Sequence, residues 1–375
     1  MPRCPDNNTL TPLLRKLSAS LGESQAKNEL RWLLQHVRTK LGDTGGSSAS
    51  PHQHQSARLW REQPAPSALE IERSSVRLGS VQWSWLRQAV ADRTERHKPL
   101  QYIIGEQQFG NLSIGVRPPV LIPRWETEEW MLRLAGLINA HTDAASDGAL
   151  PKSATAPRPL NILDACTGSG CIALGLGSEL AENSARIVGV DISQDAVGLA
   201  QDNLAFNRTL LSNHVEFRML DLQQPPDALL AQLPVGESLH GCWDMIVSNP
   251  PYVTPAEYCK LDPDVKDWED IRALVPMPPG TADPHHVPSE KLDPTGILFV
   301  VRLAKLAKEL GLVGSDRSDA ELPNAATLPR LVVEIGGGHQ VEPVCQAMHD
   351  QGFNMTEVWK DMAGTDRVVL GYFKK

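Results

Sequence analysis

Residues 160–191 constrain the fold more tightly than any other stretch of this chain. Leu160-Asn161-Ile162-Leu163-Asp164-Ala165 reads as a buried strand and runs into Cys166-Thr167-Gly168-Ser169-Gly170, a glycine-rich turn. From Ile172 to Leu180 the apolar residues recur at helical spacing. A second apolar strand, Arg186-Ile187-Val188-Gly189-Val190-Asp191, then closes on a carboxylate. Two strands joined by a crossover helix pair in parallel, so the expected class is α/β with a doubly wound, mostly parallel sheet. Gly168 and Gly170 let the backbone approach a ligand, and Asp191, about 20 residues on, stands where a ribose diol would be held.

The unit is ambiguous about its nucleotide. Ala173 sits where a third glycine belongs, so the full dinucleotide fingerprint is missing. A nicotinamide-type unit has a similar pattern, but a ligand without a pyrophosphate needs less of the glycine cradle. That favours S-adenosyl-L-methionine.

Met245 to Val247 reads as another short apolar strand, and it stops at Asn249-Pro250-Pro251-Tyr252. Two prolines cannot continue a sheet ladder. Each fixes its own φ and lacks an N–H, leaving a stiff backbone whose carbonyls point outward. The Asn249 side-chain oxygen beside such a carbonyl gives two acceptors for one planar NH2, and Tyr252 offers a flat face to pack against it. The arrangement suits a primary amide or an exocyclic amine. The same residues taken alone are also an ordinary strand end with a turn asparagine, and both readings stand at this point.

A chain of 375 residues, 41% hydrophobic, has room for one large core and a smaller one. No apolar stretch approaches the roughly 18 residues of a membrane-spanning helix. A net charge of −9 is poorly suited to gripping long nucleic acids. The six cysteines show no C-x-x-C pair or zinc spacing and read as reduced thiols, with Cys166 and Cys171 packing by the turn. His52, His54 and the pair His285-His286 fall in loop-like sequence, so no metal site is expected.

The first region reads as helical. Leu10, Leu13, Leu14 and Leu17 share one face, as do Leu30, Leu33, Leu34 and Val37; Gly22 and Gly42 mark the ends, and a third helix covers Trp83 to Arg93. Polar or proline-rich inserts are expected near 43–68, 141–159, 223–240, 276–290 and 314–330, between elements, where additions are tolerated.

In order along the chain, these features resemble the HemK-type peptide-chain release factor N(5)-glutamine methyltransferases. Beyond the two core motifs, the resemblance is carried by Pro99-Leu100-Gln101-Tyr102-Ile103-Ile104-Gly105, Phe109-Gly110, and Val120-Leu121-Ile122-Pro123-Arg124 with Glu126, Thr127 and Glu128. In the tail it is carried by Glu334-Ile335-Gly336, Gly352-Phe353, Lys360-Asp361, Ala363-Gly364 and Asp366 to Gly371. The matches run from about residue 11 to 373.

The resemblance implies a Rossmann-like class I methyltransferase, with a mostly parallel seven-stranded sheet and a C-terminal antiparallel hairpin, behind a small all-α bundle. It implies a substrate-docking bundle over 1–98, a linker hairpin over 99–122 and a methyltransferase domain over 123–375. S-adenosyl-L-methionine would be held by Cys166, Thr167, Gly168, Ser169, Gly170, Asp191, Asp221, Leu222 and Asn249. Asn249, Pro250, Pro251 and Tyr252 would clamp the substrate, with Asn249, Pro250 and Tyr252 catalytic. Arg124, Glu126 and Glu128 belong to a stretch that the family places near the cofactor entrance, and Asp164 braces the turn.

The implied activity is methyl transfer to the glutamine amide of a Gly-Gly-Gln loop in a release factor, with no stable nucleic-acid or membrane partner. Two departures stand out: Cys166 where the family usually has Gly, tolerable if its φ is negative, and Trp125 where it usually has Pro. The bundle, with Arg3, Arg15 and Lys16 near the start, points to the mitochondrion, with the cytoplasm as the alternative. Two other functions fit the core motifs. One is an amino-methyltransferase acting on adenine or guanine in DNA or RNA, which would need a basic cleft that the sequence does not show. The other is a catalytically silent partner subunit, which would have no need of Asp191 or Asn249.

Overall fold

The computed structural model describes residues 9–41, 78–146, 158–233, 243–281, 283–313 and 328–373. The chain clusters into two compact units, residues 1–106 with 263–268, and residues 107–262 with 269–375.

In the first unit, α1 (Leu10–Leu21) and α2 (Glu23–Lys40) are separated by Gly22, whose φ of 82° breaks the helical path. They pack with α3 (Ser80–Glu95) and the short α4 (Leu100–Ile104). Leu17, Leu30, Leu33, Val37, Leu86 and Val90 are fully buried in this core. Each helix presents apolar residues three and four apart, so one stripe faces inward. A buried ion pair crosses the core: Arg93 donates to Glu29 Oε2 at 2.9 Å and to Oε1 at 3.1 Å. Arg93 also donates to Asp264 at 3.4 Å, in the distant segment that joins this unit.

Within the linker expected over 99–122, the paired strands are confined to a shorter stretch. Residues 100–104 are helical because Leu100, Ile103 and Ile104 pack on the bundle core, and Gly105 at φ 86° ends the helix. The hairpin proper is β1 (Glu106–Phe109) and β2 (Leu112–Gly115).

In the second unit, α5 (Trp125–Ser146) precedes β3 (Leu160–Ala165), α6 (Cys171–Glu179), β4 (Ala185–Asp191), α7 (Gln194–Asn207) and β5 (His214–Met219). Then come α8 (Pro226–Gln232), β6 (Met245–Ser248), α9 (Leu298–Glu309), β7 (Leu331–Glu334), α10 (Val341–Asp350), β8 (Met355–Lys360) and β9 (Asp366–Tyr372). The sheet order is β5-β4-β3-β6-β7-β9-β8. The five strands from β5 to β7 are parallel, and β9 pairs antiparallel with β7 and with β8. This is the class I methyltransferase sheet.

Successive strand residues point to opposite faces, and both faces are covered. Ile162, Ile187, Val247 and Val332 pack under α5, α6 and α7 with Trp130, Leu134, Leu174 and Val197. Their neighbours Leu163, Val188, Ile246 and Val333 pack under α9 and α10 with Val300, Leu303 and Met348. From β3 the chain steps outward to β4 and β5, then returns to the other side for β6 and β7. That reversal opens a crevice beyond the carboxyl ends of β3 and β6, the position where ligands bind in such sheets.

Of the expected inserts, 43–68 lies outside the described residues, as do 147–157, 234–242 and 314–327. Residues 141–146 belong to α5 and 226–232 to α8, so helix runs further into both inserts than their polar composition suggested. Among the described residues, no helix is long and apolar enough to cross a membrane.

Candidate active site

At the end of β3 the chain turns through three left-handed residues: Cys166 at φ 60°, Gly168 at 55° and Gly170 at 82°. The two glycines differ in purpose. A Cβ on Gly168 would meet nothing within 4 Å, whereas one on Gly170 would lie 2.7 Å from Phe217 and 3.1 Å from Ala200. Gly168 therefore faces open space, and Gly170 lets α6 lie close to the sheet. Cys166 does not meet the condition of a negative φ under which it would be readily tolerated. An L-residue held in the left-handed region costs about 1–2 kcal/mol, and its surroundings must over-determine it.

Asp164 supplies part of that bracing. Fully buried, its Oδ2 accepts the Thr167 hydroxyl at 2.6 Å and the Ala173 N–H at 3.2 Å. Burial raises its carboxyl to about 7, against those two hydrogen bonds. At the end of β4, Asp191 accepts the Gly168 N–H on Oδ2 and the Ser193 N–H on Oδ1, both at 2.9 Å. Its carboxyl is also raised by burial. Each oxygen keeps a second lone pair for a ligand hydroxyl.

A cavity of ≈ 350 Å³ opens here, lined by Cys166, Gly168 and Asp191 from the first two strand ends. Asp221 and Leu222 after β5, and Asn249 and Pro251 after β6, complete that side. Thr167, Ser169, Gly170, Pro250 and Tyr252 do not line it. Thr167 and Ser169 are buried in the turn. The opposite wall is Pro119 to Leu121, overlapping a stretch that carries the resemblance, with Asp270, Arg272 and Met277, which had no motif to announce them. It is held where the Asp270 N–H donates to the Pro119 carbonyl at 2.8 Å and the Ile122 N–H donates to Glu269 at 3.2 Å. Arg124 donates to that same buried Glu269. Pro278, Gly280 and Thr281, read as the start of an insert, also line the cavity.

Ser248, the last residue of β6, donates its hydroxyl to the Ala165 carbonyl at 2.7 Å and ties the two strand ends together. Asn249 follows, and its Nδ2 donates to Thr127 Oγ at 3.1 Å. Among the described residues no hydrogen bond occupies Asn249 Oδ1 or the Pro250 carbonyl.

Behind Thr127 lies the buried carboxylate of Glu334, at the end of β7. It accepts Thr127 Oγ–H at 2.6 Å and Trp130 Nε1–H at 2.8 Å on Oε2, and the Tyr252 hydroxyl at 3.0 Å on Oε1. Burial raises the Glu334 carboxyl, opposed by these three donors and by the Arg367 charge. Burial beside Glu334 also pushes the Tyr252 phenol well above its ordinary 10, so it remains a donor. The Tyr252 hydroxyl is committed to Glu334, and the half-buried residue keeps its ring face apart from that bond. Its carbonyl accepts Gln340 Nε2–H at 3.0 Å, while Gln340 Oε1 accepts the Gly336 N–H at 2.7 Å. The proline-rich loop is thus fastened to the end of β7.

The thiols carry no chemistry here: burial raises Cys166 well above its ordinary 9.0 and Cys171 to about 12. Among the described residues no group of three or more His, Cys, Asp or Glu could hold a metal ion.

A scan of protein-family models finds no match. Individual relatives are informative. The "Release factor glutamine methyltransferase" of Thermodesulfovibrio yellowstonii is 34% identical over 285 residues, 75% of this chain and 79% of that protein. The chain belongs to the release factor glutamine methyltransferase family. A second member, from Haemophilus influenzae, is 29% identical over 76% of this chain and 80% of its own length. The "Probable MRF1 mitochondrial N(5)-glutamine methyltransferase mtq1" of Schizosaccharomyces pombe is 27% identical over 83% of this chain and 93% of its own. The N-terminal domain of human METTL16 in complex with SAH covers 80% of this chain at 15% identity with a TM-score of 0.40, too distant to add to the assignment.

Within the family frame, the residues least visible to sequence reasoning are Glu334, Thr127, Trp130 and Gln340. Glu334 had one signal of its own: an acid closing the apolar run Leu331-Val332-Val333. Nothing local pointed to Thr127, 207 positions earlier in the chain.

Proposed function

We propose that this chain transfers the methyl group of S-adenosyl-L-methionine to the side-chain amide nitrogen of the glutamine in the Gly-Gly-Gln loop of a peptide-chain release factor. The observation that carries the reading is that Asn249 lines the same cavity as Asp191, with its Oδ1 and the carbonyl of the adjoining Pro250 both unoccupied by hydrogen bonds among the described residues. The residues present fit the cofactor. Asp191 has lone pairs for a ribose diol, Gly168 leaves its side of the turn open, and Ile192, Leu222 and Met277 line an apolar wall for a purine.

When bound, S-adenosyl-L-methionine supplies a sulfonium methyl that is already a strong electrophile. The difficulty lies in the amide nitrogen, whose lone pair is delocalised into its carbonyl. Asn249 Oδ1 and the Pro250 carbonyl accept its two hydrogens, orient it and stabilise the positive charge that develops on it. Both acceptors are fixed beforehand, Asn249 by Thr127 and Pro250 by its ring, so little reorganisation accompanies the reaction. The methylated nitrogen is strongly acidic and loses its proton without a dedicated base.

We also propose that the bundle of the first unit docks the release factor, because a glutamine amide alone is too small a handle for a large protein substrate. The setting we propose is the mitochondrion, supported by the name of the Schizosaccharomyces pombe relative and by Arg3, Arg15 and Lys16. Import of the full chain into isolated mitochondria tests the location, and retention outside them would refute it.

Mass spectrometry of release factor from cells with and without this protein tests the activity. One added methyl on the Gly-Gly-Gln glutamine, present only with the protein, is the expected result. Methylation of a DNA duplex or RNA in preference to release factor would establish the nucleic-acid alternative instead.

A further inference from the structure

We infer that Trp130, Glu334 and Thr127 form a one-way hydrogen-bond relay that decides which end of the Asn249 amide faces the substrate. The inference rests on the function proposed above and makes Thr127 and Trp130 positioning residues for methyl transfer. Direction follows from what each group is able to do. An indole N–H donates and never accepts, so Trp130, 2.8 Å away, obliges Glu334 Oε2 to be an acceptor. The Thr127 hydroxyl lies 2.6 Å from that same oxygen and must give its single hydrogen there. Thr127 then has only lone pairs to offer Asn249, 3.1 Å away, and only the NH2 end of the amide can meet them. Asn249 Oδ1 is left facing the cavity.

The relay matters because the two ends of a carboxamide have nearly the same shape. A flipped Asn249 would present donors to a substrate NH2 that itself only donates, and the clamp would repel what it should hold. Thr127 and Trp130 stand three apart on α5, on one helix face, so both reach Glu334 from the same side. Protonation of Glu334 leaves the direction intact. A proton taken up by Glu334 goes to Oε1, away from the two donors on Oε2, and turns the Tyr252 hydroxyl from donor to acceptor, while the indole keeps Oε2 an acceptor. Direction, not the charge of Glu334, is therefore what the relay transmits.

The test is steady-state kinetics on intact release factor, with S-adenosylmethionine binding followed by calorimetry. Thr127→Val keeps the shape and removes both hydroxyl functions. It is expected to lower kcat by roughly 30- to 100-fold while cofactor Kd stays within about twofold, the scale for losing one preorganised contact. Thr127→Ser restores the hydroxyl and is expected within about fivefold of the unaltered enzyme. Glu334→Gln removes the charge but can keep an oxygen toward Trp130 and Thr127, so its loss stays below about tenfold. Full kcat in Thr127→Val overturns the relay. So does a parallel loss of cofactor binding, or a Glu334→Gln loss as deep as that of Thr127→Val. An unaltered enzyme that fails to methylate release factor refutes the proposed function itself, and the relay with it.

Discussion

At the residue scale, Asn249 divides its amide between structure and chemistry: Nδ2 is committed to Thr127 and Oδ1 is left for the substrate. Asn249→Ala is therefore expected to cut turnover by roughly 10²-fold or more and leave cofactor affinity within a few-fold. Kinetics beside calorimetry checks this, and equal loss of both would make Asn249 a cofactor or structural residue. Asp164 makes a different kind of prediction. Its carboxyl is raised from 3.8 to about 7 in the folded protein, so the native state holds a proton that the unfolded chain has released. The contribution to stability is full below pH 4 and is lost as pH rises toward 7, on the order of a few kcal/mol. Asp164→Asn should flatten that part of the stability-versus-pH curve in urea unfolding, and an unchanged slope would refute the assignment. Asn249 and Asp191 were legible in sequence because each ends an apolar strand next to its own turn. Glu334 was legible as a family match and as an acid closing an apolar run, but its role was not, since the hydroxyl, indole and phenol that define it arrive from two other segments.

At the element scale, the strand-turn-helix-strand unit was readable because a buried parallel strand needs apolar residues on both faces, and a crossover needs a helix. The backbone state of the turn was not readable. Composition cannot show that Cys166 adopts φ 60°, or that Gly170 rather than Gly168 is wedged against Phe217. The two glycines should respond differently to the same methyl. Gly168→Ala meets open space and carries only the left-handed strain, about 1 kcal/mol. Gly170→Ala adds a clash with Phe217 and Ala200 and should lose about 2–4 kcal/mol. Thermal or urea unfolding of both variants checks this, and equal losses would mean that α6 can move away from the sheet. The wall at 270–281 was missed for a related reason. From residue 276 its prolines resemble an insert, and nothing in the single helical turn before them (Ile271–Leu274) shows that the Asp270 N–H is bonded to the Pro119 carbonyl.

At the scale of the whole molecule, the chain holds two units, each with its own apolar core, and every residue lining the cavity belongs to the second. The bundle can therefore be weakened without touching the cavity. A truncation at residue 95 would be a poor instrument, because residues 96–106 and 263–268 belong to the bundle as well. The Glu29–Arg93 pair is a better one, with side chains only 4% and 7% exposed. Arg93→Leu leaves Glu29 buried without its bidentate partner, a loss of about 3–5 kcal/mol. The bundle should then unfold in a separate, earlier transition, while calorimetry finds S-adenosylmethionine affinity unchanged. If the bundle docks the release factor, methylation of the intact factor falls steeply in this variant and methylation of a short Gly-Gly-Gln peptide does not. That asymmetry follows from where binding energy is used: remote contacts position a large substrate, whereas a peptide has none to lose. Equal rates on both substrates, before and after the substitution, would reduce the bundle to a stabilising cap and move recognition of the release factor onto the methyltransferase unit.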